Sequence, residues 1–155
     1  MKEVYCTPGN GGISRVAECV PISPTAIEGL CRFASEREID LTVVGPELPL
    51  AMGIVDFFRE RGLKIFGPTR AAAQIEASKA FAKQFMERHD IPTAPYRIFS
   101  DPAEAISYIR EEEGPFVVKA DGLAGGKGAI VTDTREEALK AVDLIMVKRA
   151  FGDAG

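Results

Sequence analysis

The segment 117–128 carries the strongest chemical pattern in the sequence. Four glycines follow Lys119 within nine residues, in the order Gly122, Gly125, Gly126 and Gly128. The segment is not a P-loop, which needs different residues at 121 and 128, and it is not a G-x-G-x-x-G fingerprint. Both of those loops lead into a helix, whereas strand-type residues lie on either side of this one. We therefore predict a flexible hairpin turn whose backbone N–H groups can close over phosphates.

Lys119 is a candidate ligand for those phosphates. It lies in the predicted strand before the glycines, on the same face as Val117. A cation among apolar residues normally needs an anionic partner, and a nucleotide phosphate would supply one. The alternative is a surface lysine whose stem lies along the strand beside an ordinary glycine-rich turn.

Lys79 is a second candidate, in the first turn of a helix that Ser78 is expected to cap. Cations are unfavourable at this end of the helix dipole, so an anion held nearby would explain the placement. A solvated surface lysine is the commoner interpretation. Lys83, one turn further on, is expected to be plain surface.

Two loops, Pro8 to Gly12 and Gly45-Pro46-Glu47, each follow a predicted strand. Parallel sheets bind ligands at the carboxyl ends of their strands, so both loops are expected along one ligand-facing edge. Turn chemistry alone also explains them. No Ser/His/Asp or Cys/His arrangement can be built around the single histidine, His89.

Composition excludes several classes of protein. The 155 residues are 46% hydrophobic and 27% charged, which is ordinary for a globular protein, and the net charge of −4 lacks the basic footprint of a nucleic-acid binder. The cysteines, Cys6, Cys19 and Cys31, have no metal-ligand spacing, fit a reducing cytosol and are expected in the core. The most apolar stretch, 41–58, is interrupted by two acidic residues, which argues against membrane insertion.

The first half of the chain alternates strand and helix patterns. Strands are predicted at 3–6, 41–44 and 64–66, the second of them buried in a parallel sheet. Two predicted helices separate these strands. The first is capped by Ser23, or by Thr25 in a capping box, and the second runs from about Leu50 to Arg61. This order predicts a parallel α/β layer with right-handed crossovers.

The second half has a different pattern. After helices at 71–75 and 78–89, with Phe81, Phe85 and Met86 inward, the predicted elements are a strand at 96–99, a helix opened by Asp101, strands at 116–120 and 129–131, and a helix opened by a Thr134/Glu137 capping box. We place the domain boundary near residue 96, which gives domains 1–96 and 97–155.

Taken together, these segments resemble the ATP-grasp superfamily, and within it the phosphoribosylamine–glycine ligase family. The resemblance covers essentially the whole chain in order. It rests on Pro8 to Asn10, Val43 to Glu47, Ile65 to Thr69, Ser78 to Lys83, Ile91 to Ala94, Val118 to Ala124, Gly126 to Gly128 and Ala150 to Gly152. Gly125 departs from the alanine expected there, which loosens the turn without removing a contact.

The resemblance implies a fold and an activity. The fold is a Rossmann-like pre-ATP-grasp domain followed by a small α+β ATP-grasp lid. The activity joins glycine to 5-phosphoribosylamine through glycyl phosphate, with conversion of ATP to ADP and phosphate, in purine synthesis. It also implies a cytoplasmic, monomeric enzyme with small-molecule substrates and no nucleic-acid or membrane partner.

The resemblance assigns site residues in two groups. The ATP group comprises Lys79, Lys119, Asp121, Gly122, Leu123, Ala124, Gly125, Gly126, Lys127 and Gly128. The group on the phosphoribosylamine side comprises Pro8, Gly9, Asn10, Gly45, Pro46 and Glu47. No catalytic residue is assigned, because positioning and charge neutralisation suffice for this chemistry.

The resemblance further implies that the chain is a piece of such an enzyme. It begins at what resembles the family's second strand, and it ends before the last strand of the lid, the acidic Mg²⁺ ligands and the central domain. We therefore expect the Mg²⁺ ligands outside this chain, and the chain alone to be inactive. The alternatives are a purine or biotin-dependent carboxylase and a non-catalytic nucleotide-binding module.

Overall fold

The structure of the protein, a computed structural model, describes residues 3–154. The chain forms two compact units that divide between Ala73 and Gln74. This division lies earlier than the boundary predicted near residue 96. The reason is local: residues 78–80 hydrogen-bond to residues 121 and 122, which draws the helix after Ser78 into the second unit. A functional boundary near 96 stays a prediction.

Within residues 3–73, the first unit contains two pairs of short parallel strands, three complete helices and the start of a fourth. The strand pairs are not joined to one another by hydrogen bonds within residues 3–154. The elements are β1 (Tyr5–Cys6), a 3-10 turn (Ile13–Arg15), β2 (Glu18–Cys19), α1 (Ile27–Glu36), β3 (Thr42–Val43), α2 (Glu47–Ala51), α3 (Ile54–Arg59) and β4 (Ile65–Phe66). The pairing of β1 with β2 and of β3 with β4 is parallel. The expected α/β class is thus confirmed, with β2 as a strand that the sequence did not predict.

Two helix boundaries differ from the sequence prediction. Ser23 does not cap α1, because its hydroxyl bonds within a local turn to Thr25 and the helix begins only at Ile27. The helix expected from Leu50 to Arg61 is broken at Gly53, whose φ of 90° lies in the left-handed region. Glycine adopts that conformation without steric cost, so it separates α2 from α3.

The core of the first unit lies between α1, α3 and the β3–β4 pair. Val55 and Phe58 are fully buried there, and Cys31 is buried with them, as predicted. The strand predicted to be buried is covered on one face only. Val43 and Phe66, which are register partners on the other face, are 66% and 68% exposed. Cys6 and Cys19 are half-buried.

The second unit builds an antiparallel hairpin against two helices. The elements from residue 70 onward are α4 (Arg70–Ala77), α5 (Lys79–Arg88), α6 (Pro102–Glu111), β5 (Phe116–Lys119), β6 (Ala129–Thr132), α7 (Arg135–Val142), a π-helical turn (Asp143–Val147) and a 3-10 turn (Gly152–Ala154). Asp101 caps α6 and Ser78 caps α5, as the sequence predicted. Ala105, Ile109, Ala138 and Val142 form the core between α6, α7 and the hairpin.

Two predictions for the second half are wrong. Residues 96–99 form no strand. Side-chain contacts fix the position of this segment instead of backbone pairing: the Tyr96 hydroxyl donates to Glu87 at 2.6 Å, and Phe99 packs on Tyr108. Of the three α5 residues expected inward, Phe81 is exposed, whereas Phe85 and Met86 are half-buried, and no described residue of the helix is fully buried. Its aromatic side chains stack on each other along the helix instead.

The capping box at α7 is present as predicted. Thr134 Oγ1 accepts from the Glu137 N–H at 3.2 Å, and the Glu137 carboxylate accepts from the Thr134 N–H at 3.3 Å. Loss of such a cap costs about 1 kcal/mol. Thr134→Ala should therefore lower the unfolding midpoint in urea, whereas Ser23→Ala, which removes a hydroxyl that caps no helix, should change it by less than half as much. Equal effects would contradict this assignment of the caps.

The same box makes stability depend on pH. Backbone N–H groups of Asp133 and Thr134 donate to the Glu137 carboxylate and hold its pKa below the ordinary value of 4.5. A carboxyl with a lowered folded-state pKa stabilises the fold above its unfolded pKa, and that contribution is lost as pH falls through the folded pKa. The difference in thermal midpoint between the native chain and Glu137→Gln should shrink from pH 7 to pH 3. A constant difference would contradict the prediction.

Candidate functional site

Lys119 lies on the exposed face of the β5–β6 hairpin. In the antiparallel register Lys119 pairs with Ala129 and Val117 with Val131, so these four residues share one face. The opposite face, through Phe116 and Val118, packs on the core. Val117 is 53% exposed and Val131 is 75% exposed. The hairpin therefore presents an apolar surface that ends in a lysine ammonium.

The glycine-rich turn joins the two strands beyond Lys119. The ladder continues for one step, where the Ala120 N–H donates to the Gly128 carbonyl at 2.7 Å. At the tip, Gly125 and Gly126 have φ values of 57° and 78°, and a Cβ at either position would meet no atom within 4 Å. The backbone at the tip is thus open to an approaching ligand, in a conformation that only glycine adopts readily. Lys127 is exposed beside it.

The start of the turn is tied to helix α5. The Asp121 carboxylate accepts from the Ser78 hydroxyl at 3.1 Å and from the Ala80 N–H at 3.0 Å. The Lys79 ammonium donates to the Gly122 carbonyl at 2.9 Å. The structure thus brings together Lys79, Asp121 and Gly122 from the predicted ATP group, and it adds Ser78, whose role beyond helix capping the sequence did not reveal.

The two lysines of α5 are not free surface cations. Lys79 is half-buried with a carbonyl partner, so the interpretation as a solvated lysine does not hold. The expectation of a plain surface position for Lys83 is wrong. Its ammonium donates to Thr93 Oγ1 at 2.6 Å and to the Ala94 carbonyl at 3.0 Å, because the segment after α5 folds back along the helix.

The predicted phosphoribosylamine loops follow β1 and β3 in the first unit. Asn10 Oδ1 accepts from the N–H groups of Gly12 and Ile13, so this side chain holds its own loop in shape. Glu47 begins α2 and is exposed, as is Pro46. Because β1 and β3 belong to different hydrogen-bonded pairs, the common edge expected for the two loops stays a prediction.

Within the described residues, no three His, Cys, Asp or Glu side chains cluster in a way that could hold a metal ion. Among the helices of that same stretch, none combines the length and the apolar character needed to cross a bilayer.

Comparison with known protein families establishes which family the chain belongs to. Residues 1–76 match the phosphoribosylglycinamide synthetase N domain, and residues 77–155 match the phosphoribosylglycinamide synthetase ATP-grasp (A) domain. The chain belongs to the phosphoribosylglycinamide synthetase family. The two matches meet at residue 76, close to the division between the compact units.

Individual relatives agree with this family. The chain is 53% identical to a phosphoribosylamine–glycine ligase of Yersinia pestis, over 99% of its own length and 36% of the relative. A crystal structure of phosphoribosylamine–glycine ligase from Thermotoga maritima is similar, with a TM-score of 0.74 and 30% identity, over 97% of this chain and 35% of that one. The chain therefore spans just over a third of the proteins it matches.

A more distant enzyme shares the fold. The biotin carboxylase domain of the 2-oxoglutarate carboxylase of Hydrogenobacter thermophilus, solved with MgADP and bicarbonate, superposes with a TM-score of 0.73 at 21% identity. The match covers 98% of this chain and 37% of that one. At this identity the likeness concerns the fold alone. It agrees with an ATP-grasp architecture for this synthetase-family chain.

Proposed function

We propose that the complete protein joins glycine to 5-phosphoribosylamine to give glycinamide ribonucleotide, with conversion of ATP to ADP and phosphate. Membership of the phosphoribosylglycinamide synthetase family supports the reaction, as do relatives named for it at 53% identity. The glycine carboxylate attacks the γ-phosphorus and ADP leaves. The sugar amine then attacks the carbonyl carbon of glycyl phosphate and phosphate leaves.

The observation that carries the proposal is the position of Lys119. It lies on an exposed apolar face, one ladder step before an open glycine turn. An ammonium beside backbone N–H groups suits the oxygens of a polyphosphate, and valines on the same face suit an apolar ring. Phosphoryl transfer needs positioning and charge neutralisation more than a nucleophile, so these groups match the chemistry.

The remaining residues are assigned roles around that centre. In this proposal residues 121–128 close over the phosphates as a flap and Lys127 adds a cation on the flap. Lys79 and Lys119 bind the ATP phosphates. The loops Pro8 to Asn10 and Gly45 to Glu47 face phosphoribosylamine. The arrangement is a pre-ATP-grasp domain up to residue 96 and a lid from residue 97.

Mg²⁺ is proposed with ligands outside this chain, as the family resemblance implies. The ion would neutralise phosphate charge when bound. We further propose a cytoplasmic monomer that acts on small molecules.

The proposal is tested by measuring ADP formation by the complete protein. ADP should form steadily only when glycine and 5-phosphoribosylamine are both present, and omission of either should abolish it. ADP formation that depends on bicarbonate and not on glycine would identify a carboxylase instead. Nucleotide binding without any turnover would identify a non-catalytic module. Either result would overturn the proposal.

A further inference from the structure

We propose that Asp121 is a positioning residue that, through Ser78, fixes the start of the flap to helix α5 and does not touch the nucleotide. The proposal rests on the proposed function in one respect, namely that the flap closes over the phosphates of ATP. The latch itself, defined here as Ser78, Lys79, Ala80, Asp121 and Gly122, is a set of contacts within one unit.

Both oxygens of Asp121 are already engaged. Oδ1 accepts from the Ala80 N–H at 3.0 Å, and both oxygens lie 3.1 Å from the Ser78 hydroxyl. Ser78 Oγ in turn accepts from the Phe81 N–H at 3.0 Å. The carboxylate thus satisfies the first turn of α5, where the helix dipole favours a negative charge.

The charge of Asp121 also excludes it from direct phosphate contact. A carboxylate repels phosphate oxygens, whereas it attracts the N–H donors at the start of a helix. A negative residue in a phosphate-binding segment therefore needs a partner elsewhere, and the latch supplies it. This gives Asp121 a role next to the ATP group in place of a contact to the nucleotide.

The latch holds one end of the flap while the tip stays open. Gly122 is held by Lys79 on one side and packs on Ala154 on the other, where an added Cβ would come within 3.1 Å of the Ala154 Cβ. Gly125 and Gly126, by contrast, have no atom near their Cβ positions. The flap can therefore pivot between residues 122 and 125 while its start stays fixed. The fixed start keeps the backbone N–H groups of the flap directed toward the proposed phosphate site.

The test is a double-mutant cycle in the complete protein. Variants Asp121→Ala, Ser78→Ala and the double variant are compared for KM for ATP, and for the rate of tryptic cleavage after Lys127 measured by mass spectrometry. Asp133→Ala, an exposed aspartate of the same unit, is the matched control. Asp121→Asn keeps an oxygen acceptor in place and should restore part of the loss.

If Asp121 acts through Ser78, each single variant should raise both the cleavage rate and the KM for ATP by about one power of ten, a typical loss for a hydrogen bond to a charged group. The double variant should be no worse than the more affected single variant. Asp133→Ala should change neither quantity.

Effects of Asp121→Ala and Ser78→Ala that multiply would overturn the latch, as would a higher KM with unchanged cleavage, since that pattern indicates direct nucleotide contact. The cleavage assay without ATP is independent of the reaction. If the native protein fails to bind ATP while the cleavage results hold, the proposed function fails and the latch stands.

Discussion

Lys119→Ala in the complete protein is expected to lower kcat/KM for ATP by about one to two powers of ten. A charge-assisted hydrogen bond contributes about 1.5–3 kcal/mol, which corresponds to that range. The strand ladder of β5 and β6 holds the backbone of Lys119 in place before the nucleotide arrives. Steady-state kinetics with ATP as the varied substrate measure the effect.

Lys127→Ala is the matched comparison. Lys127 is exposed on the flap, next to the open tip, and the flap can close its backbone N–H groups without this side chain. Its loss should cost less than the loss of Lys119. Both variants should keep the native thermal midpoint, since neither removes apolar burial. A larger effect of Lys127→Ala, or unfolding of Lys119→Ala, would contradict the assignment of Lys119 as a fixed phosphate ligand.

Phe58→Ala is expected to destabilise the first unit by about 3–5 kcal/mol, the usual cost of removing a buried phenylalanine ring. The Phe58 ring is fully buried between α1, α3 and β4. Its removal leaves a cavity lined by apolar side chains, which lose their packing contacts with the ring. Such a loss is a large part of a typical domain stability. Urea unfolding followed by circular dichroism measures it.

Phe66→Ala removes the same ring from the same unit. Because Phe66 is 68% exposed, its replacement should cost less than about 1 kcal/mol. Similar losses for Phe58→Ala and Phe66→Ala would show that the face of β3 and β4 taken here as open is covered.

The sequence predicts best those features that depend on neighbouring residues. Three helix caps are present as predicted, since a cap is formed within four residues. They are formed by Ser78, Asp101 and Thr134. The hairpin of β5 and β6 was predicted for the same reason, from two apolar runs around a glycine-rich turn.

Features that depend on distant residues were missed. Strand β2 has only two residues and exists through its pairing with β1, so its own residues carry no pattern. The break at Gly53 was missed because the apolar spacing of 50–61 continues across it. The exposed face of Val43 and Phe66 was missed because an apolar run does not reveal which face is covered.

The candidate site divides in the same way. Lys119 and the proposed flap can be singled out from residue types, since lysine side chains and glycine-rich turns both suit phosphate binding. The latch cannot, because Asp121 and Ser78 are 43 residues apart in sequence. Nothing local in the sequence shows that this carboxylate belongs to the start of a helix.

The transfer of an oxygen atom tests the central proposal most directly. Glycine labelled with ¹⁸O in both carboxylate oxygens would be given to the complete protein with ATP and 5-phosphoribosylamine. If glycyl phosphate forms and the amine attacks its carbonyl carbon, the C–O bond breaks and each phosphate released carries one ¹⁸O from glycine. Singly labelled phosphate is expected in an amount equal to the product. Product formed together with unlabelled phosphate would contradict it.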